Sequence, residues 1–221
     1  MNFAFSEEQE ELRRIVRQFL ETKSSEAAVR EQMETEAGYD TAVWSQMAEQ
    51  MGLQGLIVPE EFGGSGYSYV ELIVVLEEMG RRLLCAPYFS TVVLAANTLL
   101  HSGDDAAKAE LLPGIASGET KATLAFTEEN GRWDEEGITL AATASGDGWT
   151  LSGTKMFVLD GHTADLVLVA ARTDAGVSLF HVPGDAAGLT RTALSTMDQT
   201  RKQAKLDFAD VPATLAGTDG G

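Results

Sequence analysis

The sequence has a single cysteine, Cys85, in 221 residues. That excludes an internal disulfide and any C-x-x-C metal-binding pair. Basic residues are scarce: 16 Lys and Arg stand against 34 Asp and Glu, a formal charge of −18 at pH 7. No Lys/Arg cluster offsets that field, which repels nucleic acid and anionic membrane surfaces. Long apolar runs are missing too. The best candidate, residues 88–100, is too short to cross a bilayer and carries Ser90, Thr91, Asn97 and Thr98. The opening MNFAFSEEQE has neither the basic start nor the apolar stretch of a secretion signal. The expectation is a soluble cytoplasmic protein with no nucleic-acid partner and no membrane insertion.

What is present suits globular packing. Hydrophobic residues make up 44%, enough for one large domain or two small ones. Residues 112–134 divide the chain. Before them the pattern is helical. Ser6-x-x-Gln9 and Ser68-x-x-Glu71 are capping boxes. Leu12, Ile15, Val16, Phe19 and Leu20 recur at helical spacing. A second helix is expected at 26–36, a third after the Asp40 cap, and others at 90–101 and 105–112, with residues 55–59 as an extended apolar link. After the divide, glycine rises, with 14 of the 22 lying beyond Leu112. Strands are expected at 123–126, 140–145, 149–152, 155–159, 165–171, 177–182, 189–194 and 204–208, joined by tight turns such as 146–148 and 174–176. The fold class expected is α+β: an all-α helical domain over 1–118, then a small antiparallel β-barrel or sandwich over 119–221. Pro113 and Gly118 punctuate the change.

Glycine-rich GGSG at 63–66 has no Lys-Ser/Thr after it and no strand-to-helix setting, so it reads as a plain turn rather than a phosphate cradle. His101 and His162 read as helix-end and turn residues, with no partners for a catalytic triad. No metal site is expected.

Taken in order, the segments SEEQEELRRIVRQFL, PEEFGGSG with VVLEEMGR, LLPGIASGETKATLAFTEENG, WTLSGTKMFVLDGHTADLVLVAAR, GVSLFHVPGDAAGL and LDFADVPA resemble the acyl-CoA dehydrogenase family. The third is similar to its entry into the middle domain, ending in a T-E-P strand end, and the fourth to its G-x-K-x-W-I-T-N strand. The resemblance implies an FAD-dependent oxidoreductase that removes an α-proton and a β-hydride from an acyl-CoA thioester. A carboxylate base takes the proton, hydrogen bonds stabilise the enolate-like charge and the flavin takes the hydride. It also implies a homo- or hetero-oligomer and electron-transfer flavoprotein as electron acceptor.

Carried over position by position, Thr127 matches the Thr of T-E-P, which faces the flavin edge in the family, with Ala125 and Phe126 on the same strand end. Phe157 stands where the family has a Trp on the flavin face, Leu159 where it has a hydrogen-bonding Thr, and Val158 lies between them. Each has a plain alternative: Thr127 as a β-former, Phe157 as a core residue. Trp133 falls near a small Ser that touches cofactor and CoA phosphate; it either closes the site to phosphate or is a surface aromatic in a remodelled loop. Glu129 replaces the family's Pro. Lys155 keeps the family's Lys and reads as a solvated strand-edge charge. The family's catalytic Glu lies in a C-terminal helical bundle to which no segment here corresponds, so no residue is assigned as catalytic and the chain is not expected to complete dehydrogenation alone. Departures at flavin-facing positions fit equally a non-catalytic, flavin-poor partner subunit of a heteromeric enzyme. A module that keeps the fold only for association is the third possibility.

Overall fold

Both capping boxes form. Ser6 accepts from the Gln9 N–H at 3.2 Å while the Gln9 side chain accepts from the Ser6 N–H at 2.9 Å, and Ser68 with Glu71 repeats the exchange. They open α1 (Glu7–Lys23) and α4 (Tyr69–Arg81). Between these lie α2 (Glu26–Glu34) and α3 (Thr41–Glu49), the latter capped by Asp40 as its sequence requires. The computed structural model describes residues 4–146 and 148–221. Residues 1–3 of the N-terminal stretch, and Asp147 of the turn expected at 146–148, lie outside the described residues. No helix among the described residues is long and apolar enough to cross a membrane.

Val16, Leu20, Trp44, Met47, Leu72, Val75 and Met79 make the helical core. One charge enters it. Glu78 on α4 is 1% exposed and accepts two bonds from Arg17, at 2.9 and 2.6 Å, so α1 and α4 are joined by an ion pair as well as by apolar contact. Residues 55–59 are not extended. They turn back on themselves and take the backbone N–H groups of Ser65, Gly66 and Tyr67 on Gly55, Val58 and Leu56 carbonyls, at 2.9 Å each. The N–H groups of Gly63 and Gly64 are spent on Glu60 and Pro59. The GGSG segment therefore has no amides left for a phosphate. A Cβ on Gly64 would sit 2.0 Å from the Val58 carbonyl oxygen, so the close approach itself requires glycine.

The expected helix at 90–101 is two pieces: a π-helical segment, Phe89–Ala96, then α5 (Asn97–His101). The last helix, α6 (Asp105–Ala116), runs straight through Pro113. Leu112, Ile115 and Ala116 are buried at 0%, 0% and 7% exposure, and that burial outweighs the one helical bond a proline removes.

The second half is a seven-stranded sheet: β1 (Ala122–Ala125), β2 (Ala141–Ser145), β3 (Gly148–Leu159), β4 (Leu166–Arg172), β5 (Val177–Pro183), β6 (Leu189–Leu194) and β7 (Gln203–Leu215). Strands β4, β2, β3, β7 and β5 pair in that order, and β5 returns to β4, closing a barrel. β6 adds to β7 and β1 to β4. The α+β class holds, and the barrel is not wholly antiparallel, because β2 pairs parallel to β4 within the ring and the added β1 also runs parallel to β4. The segments 149–152 and 155–159 are one strand. Register shifts at Leu151/Gly153 and Lys155/Val158 absorb its irregularities without breaking it.

Ala95, Ala96, Leu99, Leu112, Ile115, Ala122, Leu166 and Leu168 form a core cluster that spans helices and sheet. Polar ties reinforce it. Trp44 Nε1 donates to the Gly118 carbonyl at 2.8 Å, Lys202 Nζ to Met33 O at 2.6 Å and Arg201 to Leu84 O at 2.6 Å. The short strand β1 is the hinge of this contact. The Thr91 hydroxyl of the π segment bonds Ala122 O at 3.1 Å, and the Thr123 hydroxyl donates to Leu159 O at 2.6 Å.

Candidate functional site

Where the π segment faces the ends of β1 and β3, the surface folds into a cleft of about 480 Å³, within the range of small-molecule sites. Phe89 and Leu94 form one wall. Leu124, Phe126 and Thr127 form the second, and Met156 to Leu159 with Gln203 form the third. Trp133 stands at the rim, 81% exposed, edge-on to Phe126 with ring centroids 5.5 Å apart. The lining contains no acidic side chain and no histidine.

Of the residues singled out in the sequence, Phe126, Thr127, Trp133, Phe157, Val158 and Leu159 converge on this cleft. Ala125 does not: it has no exposure and packs inside the barrel. Phe157 is not a core residue. Its ring is 50% exposed on a backbone with φ +58°, a left-handed conformation that a non-glycine residue adopts at a cost. The Thr127 carbonyl accepts from Met156 N–H at 2.8 Å, and its hydroxyl makes no bond to the described residues. The cleft thus offers a flat aromatic face, apolar walls and a few free polar groups.

Several groups at or behind the cleft are not visible in the sequence. Phe89 and Leu94 could not be placed, because a π turn shifts which residues of a helix share a face. Lys155 is not a solvated edge charge. It is 0% exposed, with Nζ 2.8 Å from Glu128 Oε1 and 3.2 Å from Phe126 O. Alternation along β3 carries the signal, since Lys155 shares the parity of buried Leu151. Glu128, 5% exposed, also accepts the Thr139 and Leu140 N–H groups at 2.9 Å each. Burial pushes its carboxyl up, but Lys155, Thr139 and these amides together hold it below the usual range. Burial pushes the Lys155 ammonium down, opposed by Glu128. Asp160, next after the cleft strand, is pushed up to about 6, chiefly by burial, against the Ser90 hydroxyl, Arg201 and His162.

His101 touches the Tyr69 hydroxyl and His162 the Glu36 carbonyl, as helix-end and turn residues do. Among the described residues no group of three His, Cys, Asp or Glu could hold a metal ion.

Residues 6–119 match the family description "Acyl-CoA dehydrogenase, N-terminal domain" and residues 123–211 match "Acyl-CoA dehydrogenase, middle domain". The chain is 37% identical over 196 residues to the acyl-CoA dehydrogenase IpdE2 of Mycolicibacterium smegmatis, covering 87% of this chain and 59% of that protein. It is 33% identical over 171 residues to the mitochondrial isovaleryl-CoA dehydrogenase of Pongo abelii, covering 76% of this chain and 40% of that one. The ChsE4–ChsE5 complex of Mycobacterium tuberculosis superposes with a TM-score of 0.88 at 28% identity, over 98% of this chain and 58% of its counterpart. The chain therefore spans about half the length of the curated relatives it matches.

Proposed function

The chain belongs to the acyl-CoA dehydrogenase family, and from that premise we propose that it supplies the flavin-facing β surface and the helical wall of an FAD-dependent site for α,β-dehydrogenation of an acyl-CoA. The observation that carries this reading is the half-exposed Phe157 ring, held at positive φ over an apolar cleft of small-molecule size. A residue kept in a strained conformation, with its ring out of the core, has a use for that ring. The donor set fits a flavin: a flat aromatic face, an uncommitted Thr127 hydroxyl and the Gln203 amide, with no charge to clash with a neutral ring.

When bound, the flavin supplies the acceptor for the hydride leaving the acyl chain. Phe157 would carry one face of the ring system, with Val158 and Ala125 backing that wall from within the barrel. Thr127 offers a hydrogen bond at the ring's polar edge. Phe89, Leu94 and Met156 would give the cleft an apolar lining that excludes water from a bound ligand. The proton acceptor is not among the groups lining the cleft, so this chain's part is to bind and orient. An acyl-CoA as substrate, electron-transfer flavoprotein as acceptor and an oligomeric assembly belong to this proposal.

A second reading, a flavin-poor partner subunit, is favoured by the rim. Trp133 occupies it, and Arg132, the neighbouring cation, is spent on Asp134 and Glu136, at 2.9 and 2.6 Å. A phosphate arriving there meets carboxylates and an indole. The likeness to a chain of the ChsE4–ChsE5 complex supports heteromeric assembly for such a chain. The test is an absorbance spectrum of the purified protein with FAD added, alone and with a co-expressed relative. A flavin spectrum retained after desalting supports the first reading. Flavin retained only by the partner supports the second. No retention under any pairing sinks both.

A further inference from the structure

Lys155 is the one charged residue with no solvent exposure among the described residues. Burying an ammonium is costly unless it is paired and hydrogen-bonded, and Lys155 meets both conditions at one place. Its Nζ reaches Glu128 Oε1 at 2.8 Å and Phe126 O at 3.2 Å. The residue between these two acceptors, Thr127, is held from the same strand, through Met156 N–H. Glu128 in turn takes Thr139 N–H, Thr139 Oγ1 and Leu140 N–H. Residues 126–128 lie past the end of β1, where its ladder to β4 has stopped at Ala125. They are gripped instead by consecutive residues of β3, whose next three residues are cleft wall.

We propose that Lys155 is a positioning residue of the cleft: with Glu128 as counter-ion, it fixes the 126–128 segment so that Phe126 and Thr127 face the ligand opposite Phe157. The proposal rests on the flavin reading above for what the ligand is, but not for the clamp itself. A lysine there acts differently from an apolar residue of equal volume. Replacing a buried ion pair by apolar groups often leaves a fold as stable as before, so stability alone does not explain the pair. A cation gives the segment a directional anchor on a carbonyl and a carboxylate, which no methyl group provides.

The test uses the whole chain with Lys155→Met, measured in three ways. Amide hydrogen exchange at Thr139, Leu140 and Met156 is expected to speed up at least tenfold, on the order expected for loss of one strong anchor, while exchange in β4 and β5 stays as in wild type. FAD titration, followed by flavin fluorescence, is expected to show binding weakened about tenfold. Melting temperature is expected to fall, because Glu128 is left buried without its counter-ion, so the local exchange and the FAD titration carry the decision. Unchanged exchange at the three amides overturns the clamp. Faster exchange with unchanged FAD affinity reduces Lys155 to a structural role and overturns its positioning of the cleft. If wild-type protein takes up no FAD under any pairing, the functional reading falls while exchange still decides the clamp. Should Lys155→Met fail to fold, Glu128→Gln carries the test. It keeps an acceptor for the amides and loses the charge, so it is expected to show the same three-site acceleration in milder form, and its absence overturns the proposal.

Discussion

The Ser90 hydroxyl donates to the Asp160 carboxylate at 2.6 Å, across the contact between the π segment and the end of β3. This bond joins the two walls of the cleft from behind, and it is made to a carboxyl that burial has pushed up to about 6 from an ordinary 3.8. Arg201 and His162 face the same carboxyl and oppose the shift without cancelling it. The sign follows. A group whose fold-side value is raised stabilises fully below its unfolded value, and that contribution is lost as pH rises through about 6. Ionised Asp160 therefore costs the fold on the order of 3 kcal/mol at neutral pH. Asp160→Asn keeps an acceptor for Ser90 without the charge. Its melting temperature is expected to exceed wild type's at pH 8, with the gap closing by pH 4. A gap independent of pH sinks this account.

Glu78 gives the opposite sign. Its carboxyl is held below the usual range, first by the hydrogen bonds from Arg17, with Arg81 and Arg13 nearby. The stability it contributes is present above pH 4.5 and is lost as pH falls below that. Removing one partner of a buried ion pair costs about 3–5 kcal/mol, and less here because Arg17 is partly exposed. Glu78→Gln is expected to lower stability by roughly 2 kcal/mol at pH 7, read from the urea midpoint, with the loss shrinking toward pH 3.

Much of the fold was legible because local signals and packing agree. The capping boxes at Ser6 and Ser68, the Asp40 cap and β6 at Leu189–Leu194 fall where the sequence puts them. The misreadings are places where tertiary contact overrides local preference. Pro113 is carried inside α6 by the burial of its neighbours, and the π segment hides in a sequence that scans as ordinary helix. The burial of Lys155 follows from alternation along β3, but its partners do not. Its partner Glu128 lies 27 residues away, and nothing local to a lysine shows that a carboxylate and a carbonyl wait for it inside a barrel. For the cleft, the positions came from the family resemblance and the convergence of Phe126, Thr127, Phe157 and Leu159 from the folded strands. Alternation along β3 alone does not reveal that Phe157 leaves the core, because the register shift between Lys155 and Val158 resets the parity.

Leu159 lines the cleft where the resembled family carries a hydroxyl. A neutral hydrogen bond is worth about 1 kcal/mol net. Leu159→Thr is therefore expected to tighten FAD binding roughly fivefold in the fluorescence titration, with a small loss of melting temperature from the apolar surface given up. No gain in affinity means that the Leu159 side chain does not face a hydrogen-bonding edge of the ligand.

Phe157 separates stability from function. At φ +58° a side chain costs about 1–2 kcal/mol relative to glycine, and half of this one is in solvent, so it returns little through burial. Two substitutions distinguish backbone from ring. Phe157→Ala removes the ring and keeps a Cβ at the same strained angle; Phe157→Gly removes both. Glycine ordinarily weakens a strand relative to alanine, through its greater freedom in the unfolded chain. Here the order is expected to invert, with the glycine variant about 1 kcal/mol more stable than the alanine variant in urea unfolding. Both variants are expected to lose FAD affinity alike, because both lose the aromatic face. An alanine variant as stable as the glycine variant would mean that the backbone relaxes out of the left-handed region once the ring is gone. The ring, and not the strand, would then be what holds that conformation.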